Sequence, residues 1–393
     1  MKKLALLVAG VLVLASLLVL GCGQAATPES SETTQAPAAS TESTVGSTES
    51  SAVSTETTAA SSGEATVIKL KMATEKPPTH LDMTHNFPGF FQMVEAATNG
   101  KYKIEVEYFP VNTILAPADI YDGVIKGIVD VGQSSMAYTP KRFPVMLTVS
   151  QPGIAPPAST SAMAKAANEL YAKVQPAELA DTHLLYVYAS GPGWLHTKKE
   201  ITSVDQLKGL RIRVSGTGTE GVKLVGGDPI AMPMADVYEA AQKGTIDALI
   251  SPAETLEGWK HAELFDYSVF SPLLYASDIF FVTMNKNVWD SLPDDLKAAF
   301  DSVSLQAGIR AGAIWDYAHN HAIEFAKAKG HKFSEWSEAE KAQLQQALQP
   351  IREKYIKFLS DQGLPGEEIV TTATALVEEA NKVQFEPWTP AAK

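Results

Sequence analysis

A single cysteine, Cys22, stands in 393 residues. One thiol allows neither a disulfide framework nor a Cys-x-x-Cys zinc site. Familiar catalytic signatures are missing too: the chain has no HExxH pair, no GxSxG elbow and no P-loop. Nothing in it calls for a cofactor or a metal. Basic residues are scarce, 32 Lys and Arg against 45 Asp and Glu, for a formal net charge of -13. That balance argues against nucleic acid, whose phosphates demand basic surface. Residues 23–65 lack Lys, Arg and every aromatic. Their Ser/Thr/Ala/Glu composition cannot offset the entropy of ordering, and it reads as a flexible tether. Apolar residues are abundant, at 45% hydrophobic against 20% charged. This excludes chain-wide disorder and suffices for one large core or two medium ones.

The N-terminus reads as an address. Lys2 and Lys3 precede an apolar run from Leu4 to Leu20, the form of a secretory signal. At 17 residues, the run also admits a short membrane anchor. It ends at Val19-Leu20-Gly21-Cys22, which resembles a bacterial lipoprotein box in which the cysteine is lipidated after cleavage. Either reading puts the body outside the cytoplasm and ties it to a membrane. From residue 66 onward, 30 basic and 39 acidic residues remain, so the body is only mildly acidic.

The body contains an internal repeat. Ala118-Asp119-Ile120-Tyr121-Asp122, followed by Lys126-Gly127-Ile128-Val129-Asp130, returns 117 residues later. The second copy is Ala235-Asp236-Val237-Tyr238-Glu239, followed by Lys243-Gly244-Thr245-Ile246-Asp247. Each copy predicts a short helix with a cap-like Asp near its start and Gly at its C-terminal cap. A strand follows, Val129–Gln133 or Ile246–Ile250. Upstream of the first copy stand a strand (Ile68–Ala73), a helix (about Leu81–Asn99) and a strand (Lys103–Phe109). Upstream of the second stand a strand (Leu210–Ser215), a shorter helix (about Thr219–Val225) and a strand (about Pro229–Met232). Each half is thus a βαβαβ unit, the element of an open parallel sheet. Two such units suggest two similar lobes facing a cleft. Periodic helices are expected over Asp294 to about Lys329, Ser337–Asp361 and Glu367–Val383.

Ligands of open α/β sheets bind beyond the C-terminal ends of the strands. Those ends are Thr74–His80, which includes Glu75, then Ser134–Tyr138, Ser215–Gly218 and Ser251–Glu254. Arg213 shares a strand face with Arg211, opposite Leu210, Ile212 and Val214. It offers either a planar fork for a carboxylate or a surface ion pair. Gly216-Thr217-Gly218-Thr219-Glu220-Gly221 matches GxGxxG, but Gly226-Gly227 cuts the following helix short. Its expected use is backbone N–H groups for an anion rather than a dinucleotide site. Tyr138, Trp194 and Trp259 fall at the predicted cleft, where they would stack on a ligand or pack the hinge. His319 and His321 point apart on a helix and read as solvated.

Residues 67–385 resemble the dicarboxylate-binding family, the solute-binding proteins of TRAP transporters. Several motifs carry the resemblance in order. Leu207-Lys208-Gly209-Leu210-Arg211-Ile212-Arg213-Val214 is similar to the strand bearing the family's ligand arginine. Gly227-Asp228-Pro229-Ile230-Ala231-Met232-Pro233, the two repeat turns, and Asn285-Lys286-Asn287-Val288-Trp289-Asp290-Ser291-Leu292-Pro293 follow. The resemblance implies a two-lobe, periplasmic-binding-protein-like α/β fold with a long lobe-spanning helix and a helical C-terminus. It implies a receptor that makes and breaks no bonds and hands a small organic acid to a TRAP permease. By the match, Arg213 clamps the ligand carboxylate.

Expected site residues are Arg213, Trp194, Tyr138, Ser215, Ser251, Glu254, Trp259 and Glu75, with Cys22 as the lipidation site. Many members carry a second arginine where Gly193-Trp194-Leu195-His196 stands, and an asparagine at Ser251. Trp194, Trp259 and Glu254 therefore suggest a ligand other than a standard dicarboxylate, with an apolar or aromatic part. An ABC-type receptor or an exported α/β enzyme remains the alternative. Expected boundaries are 1–21 for the signal, 22–65 for the lipidated cysteine and tether, 66–191 with 278–322 for lobe I, and 192–277 with 323–393 for lobe II.

Overall fold

The computed structural model describes residues 65–391, apart from 153 and 155. The expected signal peptide, Cys22 and nearly all of the tether lie outside the described residues. Among those described, no helix is long and apolar enough to cross a membrane.

Two sheets organise the body. Five strands, β1 (Thr66–Thr74), β2 (Tyr102–Pro110), β3 (Val131–Ser135), β4 (Thr182–Ala189) and β10 (Ile279–Asn285), form the first in the order β2-β1-β3-β10-β4. The second comprises β5 (Gly193–Thr197), β6 (Arg211–Val214), β7 (Asp228–Ala231), β8 (Ala248–Pro252), β9 (Tyr267–Phe270) and β11 (Lys332–Glu335). Its order is β11-β9-β5-β8-β6-β7. The predicted βαβαβ units are both present. β1 lies parallel to β2 and β3, and β6 parallel to β7 and β8. The helices between them are α1 (Phe87–Ala97), α2 (Ile120–Ile125), α4 (Thr219–Leu224) and α5 (Val237–Gln242), α3 being Thr160–Val174.

The sheets are mixed rather than all-parallel. β10 runs antiparallel to β3 and β4, and β5 antiparallel to β8 and β9. Chain crossing is the reason. β4 leads directly into β5, and β9 into β10, so each lobe takes a central strand that arrives from the other. The two crossings are tied together: Gly193 N–H donates to Tyr275 O at 3.0 Å, and Ser190 N–H to Asp278 O at 2.9 Å.

The repeat residues have a shared job, though not the capping one. Asp119 and Asp236 stand at N-cap positions, yet neither side chain makes a cap hydrogen bond. The aspartate that closes each copy does the work. Asp130 accepts from Lys71 N–H at 2.8 Å and Asp247 from Arg211 N–H at 3.0 Å, pinning the register of β3 on β1 and of β8 on β6. Gly127 and Gly244 sit at φ 70° and 69°, the left-handed turn that ends each helix.

Period-2 alternation builds the core. On β4, Tyr186 and Tyr188 face one cluster with Phe280 and Val282, while Val187 and Ala189 face the other with Phe281. The long helix α8 (Asp294–Ala328), about 50 Å at 1.5 Å per residue, follows α7 (Lys286–Ser291). It buries Leu296, Phe300 and Trp315 in the first lobe's core and meets α6 (Thr255–Gly258) of the second. The C-terminal boundary needs correction. Leu344 and Leu348 of α9 (Glu338–Leu348) join the second lobe's core, as does Ile351 at the start of α10 (Pro350–Asp361). Leu359 and the apolar face of α11 (Gly366–Ala380) instead bury with Ala162 and Ala166 of α3 in the first lobe. Helical periodicity marks an apolar face but does not say which lobe covers it.

Gly216, expected at an anion-binding turn, serves close packing instead. An added Cβ would press into the Ala137 carbonyl oxygen and lie 3.0 Å from Pro140 Cγ, both of the first lobe. Gly216→Val should therefore wedge the lobes apart at a cost of about 1–3 kcal/mol to the closed arrangement. Small-angle scattering should show a larger radius of gyration than wild type; an unchanged radius refutes the wedge.

Candidate functional site

The strand ends of the two lobes meet at a polar seam. After β1, the chain enters Glu75-Lys76-Pro77-Pro78 and then a π-helical turn, Asp82–Asn86, that continues into α1. Opposite, β8 runs into Pro252, Glu254 and α6. A small cavity of about 20 Å³ lies between, lined by Glu75, Lys76, Tyr138, Glu254, Trp259 and Trp315, with Ser190, Tyr275, Asp278 and Phe280 also on its wall. A much wider groove, about 840 Å³, lies elsewhere, between α8 and residues 383–389. It lacks the buried charges that converge at the seam.

Charge dominates the seam. Lys76 Nζ lies 2.8 Å from Glu75 Oε1 and 4.0 Å from Asp82 Oδ2, and 4.0 Å over the Phe280 ring centroid. Burial pulls the Lys76 ammonium down, but Glu75, Asp82 and Glu254 together outweigh it and hold its pKa above the ordinary lysine value. Asp82 is fully provided for: it accepts from Asn86 Nδ2 at 3.0 Å, Trp315 Nε1 at 3.1 Å and the Tyr188 hydroxyl at 2.9 Å. His80 Nδ1 accepts from Asp82 N–H at 3.0 Å, and its Nε2 lies 3.1 Å from Glu254 Oε1 across the seam. That approach is too poorly aligned for a hydrogen bond.

Arg213 is 1% exposed. Its Nε and one terminal nitrogen donate to the Met232 carbonyl at 3.0 and 2.7 Å, and among the described residues no carboxylate pairs with it. Arg213 does not itself line the small cavity. It is close enough to Asp278, Tyr138 and Tyr275 to favour their ionised forms, although burial, the larger influence, raises all three pKa values. Arg211 took the other role open to a strand arginine: its fork pairs with Asp247 at the surface, at 2.7 and 2.9 Å.

The other expected residues divide. Glu75, Tyr138, Glu254 and Trp259 line the cavity. Ser215 stands one step back, its hydroxyl donating to Asp278 Oδ1 at 2.8 Å. Ser251 is turned inward and shares a 2.7 Å hydrogen bond with Thr255, fastening α6. Trp194 lies away from the cavity and packs on Phe270, His319 and Phe333, which is the hinge-packing alternative. His319, expected in solvent, lies against it with its Nδ1 buried. Asp82, Tyr275, Asp278 and Trp315 were missed, and Lys76 and His80 fell within the Thr74–His80 strand end without being singled out. Lys76 had a signal, a charged pair followed by two prolines at a strand end. Trp315 had none, because helical spacing does not show which face meets a cleft.

Tyr138 links the lobes directly, its hydroxyl accepting from Met234 N–H at 3.1 Å. Tyr138→Phe should weaken closure by about 1 kcal/mol, about fivefold in ligand affinity. Titration calorimetry on the variant checks it; unchanged affinity rejects the latch.

The family model described as bacterial extracellular solute-binding protein, family 7, matches residues 72–358. The chain belongs to this family. A TRAP solute-binding protein from Rhodoferax ferrireducens, in complex with copurified benzoate, superposes with TM-score 0.75 at 26% identity. The match covers 80% of this chain and 99% of that one. A marine metagenome TRAP solute-binding protein specific for aromatic acid ligands, co-crystallised with 3-hydroxybenzoate, gives TM-score 0.75 at 28% identity, over 81% and 100%. The monocarboxylate 2-oxoacid-binding periplasmic protein of Nostoc sp. is 26% identical over 66% of this chain and 70% of its own. The two lobes joined by crossing strands and a long strut are the fold of a TRAP solute-binding protein.

Proposed function

We propose that the chain is an extracytoplasmic receptor that closes its two lobes on a small monocarboxylate and delivers it to a TRAP-type permease. The observation that carries this is Arg213, buried at the lobe junction with no carboxylate partner among the described residues. A desolvated guanidinium with spare donors is a seat for a carboxylate. The benzoate and 3-hydroxybenzoate complexes of related proteins support an aromatic acid, and Trp259, Trp315 and Phe280 supply the matching walls. Closure is a hinge motion about the tied crossings, selected by contacts to both lobes. No bond is made or broken, and the acid leaves as it arrived. Cys22, once lipidated, anchors the receptor to the membrane through the tether.

A thermal-shift screen against organic acids tests the reading. An acid at about 100 times its dissociation constant should add about 2.7 kcal/mol of stability, and mass spectrometry should recover it unchanged. A shift with sugars or nucleosides and none with acids overturns the proposal, as does turnover of the acid.

A further inference from the structure

The seam holds more acid than a carboxylate receptor needs. Glu75, Asp82, Glu254 and Asp278 are all buried there, against two permanent bases, Lys76 and Arg213. Asp82 has three donors, and Asp278 accepts from Ser215. Glu75 and Glu254 are different. They are 2% and 4% exposed, both line the cavity, and Oε2 of each has no hydrogen-bond partner among the described residues. A buried carboxylate oxygen without a donor is costly unless a donor arrives with the ligand. The two glutamates line one cavity from opposite lobes, one after β1 and one after β8, so a single group bound to both would be gripped only on closure.

Resting on the carboxylate reading above, we infer that the solute is amphoteric. Its carboxylate meets Arg213, and a protonated N–H-bearing nitrogen meets Glu75 and Glu254. The aromatic wall suits the same group, since Phe280 and Trp315 already hold the Lys76 ammonium at 4.0 and 5.0 Å from their ring centroids. A second carboxylate, by contrast, would enter a site of like charge, so dicarboxylates are selected against.

Titration calorimetry on the purified chain tests this with two matched sets. The aromatic set is benzoate, 3-hydroxybenzoate, 3-(aminomethyl)benzoate and isophthalate. The aliphatic set is butyrate, 4-aminobutyrate and glutarate. In the set that binds, the amine-bearing acid should bind at least about 30-fold tighter than the plain acid, and the dianion weakest. Glu254→Gln and Glu75→Gln should each remove most of that preference, read as the ratio of amine-bearing to plain-acid affinity within the same variant. Unliganded melting curves show whether each variant folds, and the wild-type ratio decides the matter if one does not. Plain acid or dianion binding as tightly as the amine overturns the amphoteric inference alone, as does a preference that survives both substitutions. Absence of binding by every acid overturns the organic-acid reading itself.

Discussion

Arg213→Ala should abolish carboxylate binding, with a loss of about 2–5 kcal/mol, or about 30- to several-thousand-fold in Kd. The size follows from desolvation. The guanidinium is 1% exposed, so its pairing with a carboxylate is screened far less than a surface ion pair. Part of the arginine's role is structural, because two of its donors hold the Met232 carbonyl on the segment that meets Tyr138. Arg213→Lys separates the two effects: it keeps the charge but loses the planar fork, and affinity should fall by an intermediate amount. Calorimetry beside a melting curve of the unliganded protein checks both. Wild-type affinity in a folded Arg213→Ala variant removes Arg213 from the site.

The second large effect concerns stability. Lys76→Met removes the cation buried beside Glu75 and Asp82. Asp82 keeps its three donors, but Glu75 is left without one, and breaking a buried pair in this way costs about 3–5 kcal/mol. The double substitution Lys76→Met with Glu75→Leu should recover most of the loss, because an apolar replacement of the whole pair strands no charge. Urea unfolding at pH 7 gives all three values. The pH dependence has a definite sign. Lys76 has a folded pKa raised above its ordinary 10.5, so its stabilising contribution is complete below that value and is lost as pH rises through the folded pKa. The gap between wild type and Lys76→Met should therefore persist through neutral pH and close only in alkali. A Lys76→Met protein as stable as wild type at pH 7 contradicts the ion-pair account.

The repeat made much of the fold legible. Asp130 and Asp247 each pin a strand edge, and Gly127 and Gly244 end helices at positive φ. Such residues recur in register because backbone geometry needs them. The crossing strands β5 and β10 carry no such punctuation. Their direction is set by the chain's passage between lobes, and local pattern does not encode that. The candidate site was half legible for a similar reason. Strand-end residues such as Glu75, Tyr138 and Glu254 could be placed by the rule that ligands bind beyond strand ends. Asp278 sits in a hinge segment and Trp315 in the middle of a 35-residue helix, so tertiary packing alone brings them to the seam. Trp194 shows the converse. It stands at the start of a strand near the cleft, yet β5 turns it toward α8 and β11.

A crystal structure with the tightest-binding acid of the screen tests the central claim most directly. The account predicts density between the lobes, with the solute carboxylate within hydrogen-bonding distance of the Arg213 guanidinium and its body between Trp259 and Trp315. Density for the acid in the groove between α8 and residues 383–389, with Arg213 still bonded only to Met232, would contradict it.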